Sequence, residues 1–362
     1  MALVPQPASA HARLLQSDPT PGAVLSTAPS AVTLVFNEPV TPAGVGVSVY
    51  SPSGRQVAHA TAARGAVLSA PIDAEGAGTY VVLWQVYAAD THPSRGAFDF
   101  AVGHTSANPF ASLLEAPEAG TATPLGLALQ AMARLIHFAG FTLLFGVVAY
   151  RALIGRKGPF GRLVGAGVAL LIVAEPVALL GQLASLSFDA DTTLAVLGSS
   201  FGRILGLRLG AALLAWTLMA TERTWPVLGV GAATAVLDGL SAHGIPAIPF
   251  AGQLLVAVHV GAMGLWVGGI AAFIGSPDPR FGRYALATFG VAATTGLVLA
   301  LVHTSFGAAL LTNDYGRVLL LKVFVVGAAV VAALVRRRRL ELGVAIAAVA
   351  FASLLGALPP PY

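Results

Sequence analysis

Apolar and polar positions follow one rule up to about residue 104 and another beyond residue 125. In 97–102, Phe98, Phe100 and Val102 alternate with Ala97, Asp99 and Ala101. A period of two describes a strand with one buried face. Short β-rich runs also cover 31–36, 45–50 and 79–87. Turn clusters punctuate them: Pro19-Thr20-Pro21-Gly22, Pro52-Ser53-Gly54 and Glu75-Gly76-Ala77-Gly78. This pattern predicts a β-sandwich of about 90 residues, or a less regular β domain. Residues 105–124, broken by Asn108-Pro109, Ala116-Pro117 and Ala119-Gly120-Thr121, read as a linker. From 125 to 362 the chain is a series of apolar stretches, each about 20 residues long, the length that crosses a bilayer as a helix. The expected spans are 127–150, 163–186, 201–220, 226–243, 251–274, 285–306, 317–335 and 341–358. The predicted fold is therefore an all-β domain over 11–104 followed by an all-α membrane bundle of about eight helices.

Composition supports that division. Of 362 residues, 56% are hydrophobic and only 10% charged, against about 25% charged in ordinary soluble domains. A soluble globule and a disordered chain are both excluded. There is no cysteine, hence no disulfide, thiolate metal site or cysteine nucleophile. The net charge of +4 is topology information, since no basic stripe with exposed aromatics points to nucleic acid. No Walker A motif is present, so ATP hydrolysis by this chain is not expected and neither is an enzyme.

Basic residues set the expected orientation. Arg151, Arg156, Lys157 and Arg162 follow the first span, Arg223 the third, Arg280 and Arg283 the fifth, and Arg336 to Arg339 the seventh. The alternate loops, 187–200 and 244–250, are poor in Lys and Arg. The positive-inside rule places the basic set in the cytoplasm and the β domain and C-terminus outside. Arg336 to Arg339 read as a plain stop at the membrane surface, with a nucleic-acid or anionic-lipid patch as the alternative.

Histidine carries the candidate chemistry. Asp90-Thr91-His92 follows the 79–87 strand. On an extended chain, residues i and i+2 point the same way, so an oxygen and an imidazole nitrogen can meet one ion. An Asp–His hydrogen bond in a loop is the alternative. Ala8-Ser9-Ala10 is an A-x-A cleavage signature directly before His11. A mature N-terminal His11 offers both its α-amino and ring nitrogens. With His92 and Asp90 this makes a tetragonal nitrogen and oxygen set that favours Cu(II). Residues 1–10 read as a residual signal segment, too short for a complete one. Either the true start lies upstream or the chain is trimmed.

These residues carry a resemblance. His11-Ala12, Pro19 to Gly22, the run Val32 to Val40, Gly78-Thr79-Tyr80 through Trp84, and Asp90-Thr91-His92-Pro93 with Gly96 and Phe98-Asp99-Phe100 resemble the bacterial copper-binding family CopC. The resemblance implies a cupredoxin-like (Ig-like) sandwich binding Cu(II) through His11, Asp90 and His92, with Glu38 as a fourth candidate. It further implies that the Met-rich Cu(I) site of some members is absent, since no methionine follows Met1 in this domain. His59 and His104 match nothing in the family and read as surface residues.

The membrane part resembles CopD, the inner-membrane partner often fused behind CopC. The matching motifs are Arg134-Leu135-Ile136-His137, Leu240-Ser241-Ala242-His243, His259 with Leu265 to Gly269, and Tyr315-Gly316-Arg317 with Lys322. In the expected topology His243 and His303 lie at the outer ends of their helices. His259 is about two turns in and His137 about three. Ionisable groups in a bilayer are functional candidates by default. His259, Met263 and Trp266 share a helix face by spacing, and imidazole with thioether suits Cu(I). Ordinary packing also explains Met263 and Trp266. Gly264 and Gly268 read as a close helix contact. Arg134 and Lys322 read as snorkelling residues, and Glu175 and Asp238 as proton relays or intramembrane hydrogen-bond acceptors.

The expected function is capture of Cu(II) outside a bacterial cytoplasmic membrane and inward movement of copper, as Cu(II) or Cu(I), through a His-lined bundle in which His259, His243, His137, Met263 and His303 are the expected copper donors. Expected partners are copper ions, the lipid bilayer and extracytoplasmic copper proteins. An anchored copper buffer or metallochaperone is the first alternative. A haem-b electron-transfer protein with paired intramembrane histidines is the second.

Overall fold

The computed structural model describes residues 12–88, 93–115, 123–155, 158, 160–186, 188, 190–220, 223–242, 249–304 and 309–358. The chain forms two compact units, Met1–Gly126 with Gln182–Gly202, and Leu127–Gly181 with Arg203–Tyr362.

The first unit contains a sandwich of two four-stranded sheets. Its strands are β1 (Leu14–Asp18), β2 (Val24–Leu25), β3 (Ala31–Phe36), β4 (Thr41–Tyr50), β5 (Ala62–Arg64), β6 (Val67–Pro71), β7 (Gly78–Tyr87) and β8 (Pro93–Val102). The sheet orders are β1-β3-β6-β5 and β2-β8-β7-β4. Inward residues alternate as the pattern predicts: Val32, Leu34 and Phe36 from β3 meet Phe98 and Phe100 from β8 and Tyr80, Val82 and Trp84 from β7 in one core. The 45–50 strand starts earlier than expected, at Thr41. A bulge between Pro42 and Val47 absorbs the extra length, and Gly46 supplies its φ of +77°.

Two segments expected to lie outside the sandwich join this unit. Buried Asn108, from the expected linker, donates from Nδ2 to the carbonyls of Thr79 at 2.8 Å, Ser51 at 3.0 Å and Tyr50 at 3.3 Å. Phe110 stacks on Tyr50 at 4.0 Å. The expected loop 187–200 carries helix α4 (Ala190–Gly198), which packs on β4. A Cβ on Gly44 would lie 3.7 Å from Thr192 Oγ1.

The helical part comprises α1 (Pro124–Phe141), a π-helical stretch Thr142–Gly146, α2 (Val147–Leu153), α3 (Gly161–Ser185), α5 (Ser200–Met219), α6 (Thr224–Leu240), α7 (Pro249–Gly275), α8 (Phe281–Thr304), α9 (Ala309–Thr312), α10 (Asp314–Leu334) and α11 (Arg338–Ala357). Among the described residues, seven helices are long and apolar enough to cross a membrane, α1 to α2 counting as one of 30 residues. Among the described residues, all eight expected spans overlap helices. The eighth, α6, has 17 residues, about 25 Å at 1.5 Å per residue, short of a full bilayer core.

The centre of the bundle is built on glycine. A Cβ on Gly146 would lie 2.2 Å from the Gly264 carbonyl, and one on Gly268 2.3 Å from the Thr142 carbonyl. The backbones of the π-helical stretch and α7 therefore touch, as the Gly264/Gly268 spacing predicts. Leu297, Phe324 and Trp216 on α8, α10 and α5 are exposed, as lipid-facing side chains are.

Candidate metal sites

At one end of the sandwich the structure gathers the flanks of the sequence-predicted ligands. Ala12 is buried in the core, and the Arg13 amide donates to Asn37 Oδ1 at 2.6 Å while the Asn37 amide donates to the Arg13 carbonyl at 3.1 Å. The segment just after position 11 is thus pinned beside Glu38, which is half-buried at the end of β3. Tyr87 of β7 pairs with Pro93 of β8 and also with Thr41 of β4. The β7–β8 hairpin end and the Glu38 segment therefore lie at one end of the sandwich. His11, Asp90 and His92 themselves lie outside the described residues, as does His243. Trp84 packs edge-on against Phe36 at 5.2 Å beneath this end. Burial pushes the Tyr87 phenol up. His59 and His104 are exposed, and His59 Nε2 sits 2.8 Å from Asp73 Oδ2.

In the bundle, His259 Nδ1 lies 3.0 Å from the Ala292 carbonyl and 3.0 Å from Thr295 Oγ1. Only a protonated Nδ1 can donate to the carbonyl. In the neutral ring this leaves Nε2 as the lone-pair nitrogen, the arrangement that orients metal-binding imidazoles. Gly296 makes room for the ring, since a Cβ there would lie 2.9 Å from Cε1. Met263, one turn on, is buried, and Trp266 packs on Phe289 at 5.0 Å. Lys322 on α10 bears electrostatically on His259. Buried His303, at the end of α8, meets Tyr315 Oη through Nδ1 at 3.0 Å.

His137 is differently employed. Its Nδ1 lies 3.3 Å from Glu175 Oε1 on α3, and its Nε2 lies 3.1 Å and 3.2 Å from the two oxygens of Asp238 on α6. Arg208 on α5 places Nη2 2.7 Å from Asp238 Oδ1, and the same Nη2 donates to Ser241 Oγ at 2.5 Å. His137, Glu175 and Asp238 are all buried. The two ring nitrogens point to separate carboxylates, so these groups do not converge on one point. Among the described residues, no three His, Asp or Glu side chains form a set that could hold a metal ion.

Residues 14–103 match the CopC domain family. Over 98 residues the chain is 33% identical to Protein YobA of Escherichia coli K12, a match that covers 26% of this chain and 79% of that one. The chain belongs to the CopC family through its N-terminal domain. Over 369 aligned positions it is also 25% identical to the Copper transport protein CutJ of Bacillus subtilis 168, covering 87% of this chain and 67% of that one. The crystal structure of CopC from Methylosinus trichosporium OB3b aligns with 27% of this chain and 98% of its own, at 25% identity and a TM-score of 0.25.

The CopC domain is thus fused to a polytopic helical membrane domain, a CopC/CopD-type architecture. Sequence reasoning marked His137, Glu175 and Asp238 singly and missed both Arg208 and their union. The available signal was Arg208 itself, inside the expected 201–220 span that holds no acidic residue, since a charge in an apolar helix requires a counter-charge.

Proposed function

We propose that this protein handles copper at a bacterial cytoplasmic membrane. Its CopC domain, 11–104, captures Cu(II) outside, and a CopD-like bundle, 125–362, moves copper inward. The observation that carries this reading is the match to a copper transport protein over 87% of the chain, bundle included. His11, Asp90 and His92, with Glu38 close by, are the proposed Cu(II) ligands. The pinned Arg13–Asn37 contact and the Tyr87 pairings with Thr41 and Pro93 support this by bringing their flanking segments to one end. The basic clusters at 151–162 and 336–339 support a cytoplasmic position for those loops, with the CopC domain and C-terminus outside.

Within the bundle, His259 is the proposed entry ligand for copper, with His243, Met263 and His303 as further donors. His259 is preferred because its Nδ1 contact to the Ala292 carbonyl leaves Nε2 with a lone pair. His137, with both nitrogens facing carboxylates, is left out of this ligand set. Copper uptake by proteoliposomes holding the full chain tests the reading. Uptake above protein-free liposomes is expected. Copper binding without uptake would instead make the protein an anchored extracytoplasmic buffer.

A further inference from the structure

We propose that His137, Glu175 and Asp238 form a proton-binding site that exchanges a proton against copper. This inference rests on the transport reading and names its counter-ion.

The geometry gives the site two states. An imidazole donates from both nitrogens only when doubly protonated. His137 presents Nδ1 to Glu175 at 3.3 Å and Nε2 to Asp238 at 3.1 Å to 3.2 Å. With that proton in place, the two cations His137 and Arg208 balance the two carboxylates, so the buried cluster is neutral. The charged or titratable groups facing His137 are Glu175 from α3, Asp238 from α6 and, through Asp238, Arg208 from α5. Remove one proton and a ring lone pair faces a carboxylate oxygen, while the cluster acquires a net charge of minus one. The Glu175 contact is the longer, and Asp238 retains Arg208. The repulsion therefore falls on the link between α1 and α3.

The cluster is well placed to affect copper. Gly239, next to Asp238, abuts α7: a Cβ there would lie 2.2 Å from the Gln253 carbonyl and 3.2 Å from the Ala257 side chain. Ala257 is two residues before His259, about 3 Å along the helix. An uncompensated negative charge on this side of the bundle attracts a copper cation, and a bound copper cation favours proton release. By linkage the two effects are equal in size. One Cu(I) entering as one proton leaves is electroneutral, so no net charge crosses.

The test uses full-length protein in proteoliposomes with a pH dye and a copper indicator inside, and copper with ascorbate outside. In the wild type, copper entry is expected to alkalinise the lumen. An acidic lumen should speed uptake, because the outward proton gradient then drives copper inward. Glu175→Gln and Asp238→Asn, each keeping side-chain volume, should remove the response to the pH gradient. Thermal melts of both variants report whether they fold, and the wild-type measurement decides the matter even where they do not. Wild-type copper entry that moves no protons and ignores the gradient overturns the exchange while leaving transport intact. No copper entry under any gradient overturns the transport reading, and the exchange with it.

Discussion

The His137 ring and the Asp238 carboxylate, 101 residues apart in sequence, meet at 3.2 Å inside the helix bundle. This contact ties α1 to α6, and the approach of Arg208 to the same carboxylate brings in α5. Removing one member of a buried ion pair strands the other charge, which costs more than the pair itself contributes. Arg208→Met is therefore expected to destabilise the bundle by about 3 kcal/mol. Combining it with Asp238→Asn should cost less than the sum of the two single changes. A double-mutant cycle by thermal unfolding in detergent checks this, and strict additivity would show the two groups to be uncoupled.

The glycine contact between the π-helical stretch and α7 yields a paired prediction. A Cβ at Gly268 would collide with the Thr142 carbonyl at 2.3 Å, whereas Gly275 on the same helix has nothing within 4 Å. Gly268→Ala should lower stability by about 1–3 kcal/mol, the usual cost of overpacking. Gly275→Ala should be neutral or slightly stabilising, because alanine is the better helix former. Melting temperatures of the two purified variants separate these outcomes.

Asn108 joins its segment to the sandwich through three backbone carbonyls. Asn108→Ala leaves buried acceptors without a donor, at about 1–3 kcal/mol. In the full chain this change should speed proteolytic cleavage near residues 105–115. Unchanged cleavage kinetics would mean that Phe110 stacking on Tyr50 holds the segment by itself.

The proposed amino-terminal chelate makes a chemical prediction. A chain beginning at His11 should bind Cu(II) through its α-amino group. One extra residue before His11 should weaken binding by orders of magnitude. Titration followed by electron paramagnetic resonance reads both affinity and nitrogen coordination. Equal affinity with and without the extension would remove the terminus from the site. His59→Ala, at an exposed contact with Asp73, should leave the Cu(II) stoichiometry unchanged.

The strands and spans were legible to different degrees for physical reasons. β8 could be read because it buries alternating side chains in one core, and β3 and β7 because their runs are rich in β-forming residues, β7 being buried on both faces. β1 (Leu14–Asp18) has no such alternation, and β2 and β5 have two and three residues. Those edges are defined by pairing, which local pattern does not encode. The membrane helices declared themselves by length alone, but α4 did not, since nine residues in a loop carry too short a period. At the candidate sites, spacing revealed His259 and Met263 on one face. It could not reveal that Ala292 fixes the His259 ring or that His137 faces two acids, because those partners lie 33 to 101 residues away.

The central claim is that copper enters the bundle at His259. Radiocopper uptake should be compared between proteoliposomes carrying wild-type protein and His259→Ala at matched protein levels, with Cu(II) binding by the CopC domain measured on the same samples. The account predicts that His259→Ala retains Cu(II) binding and loses uptake. Uptake equal to the wild type in that variant would contradict it.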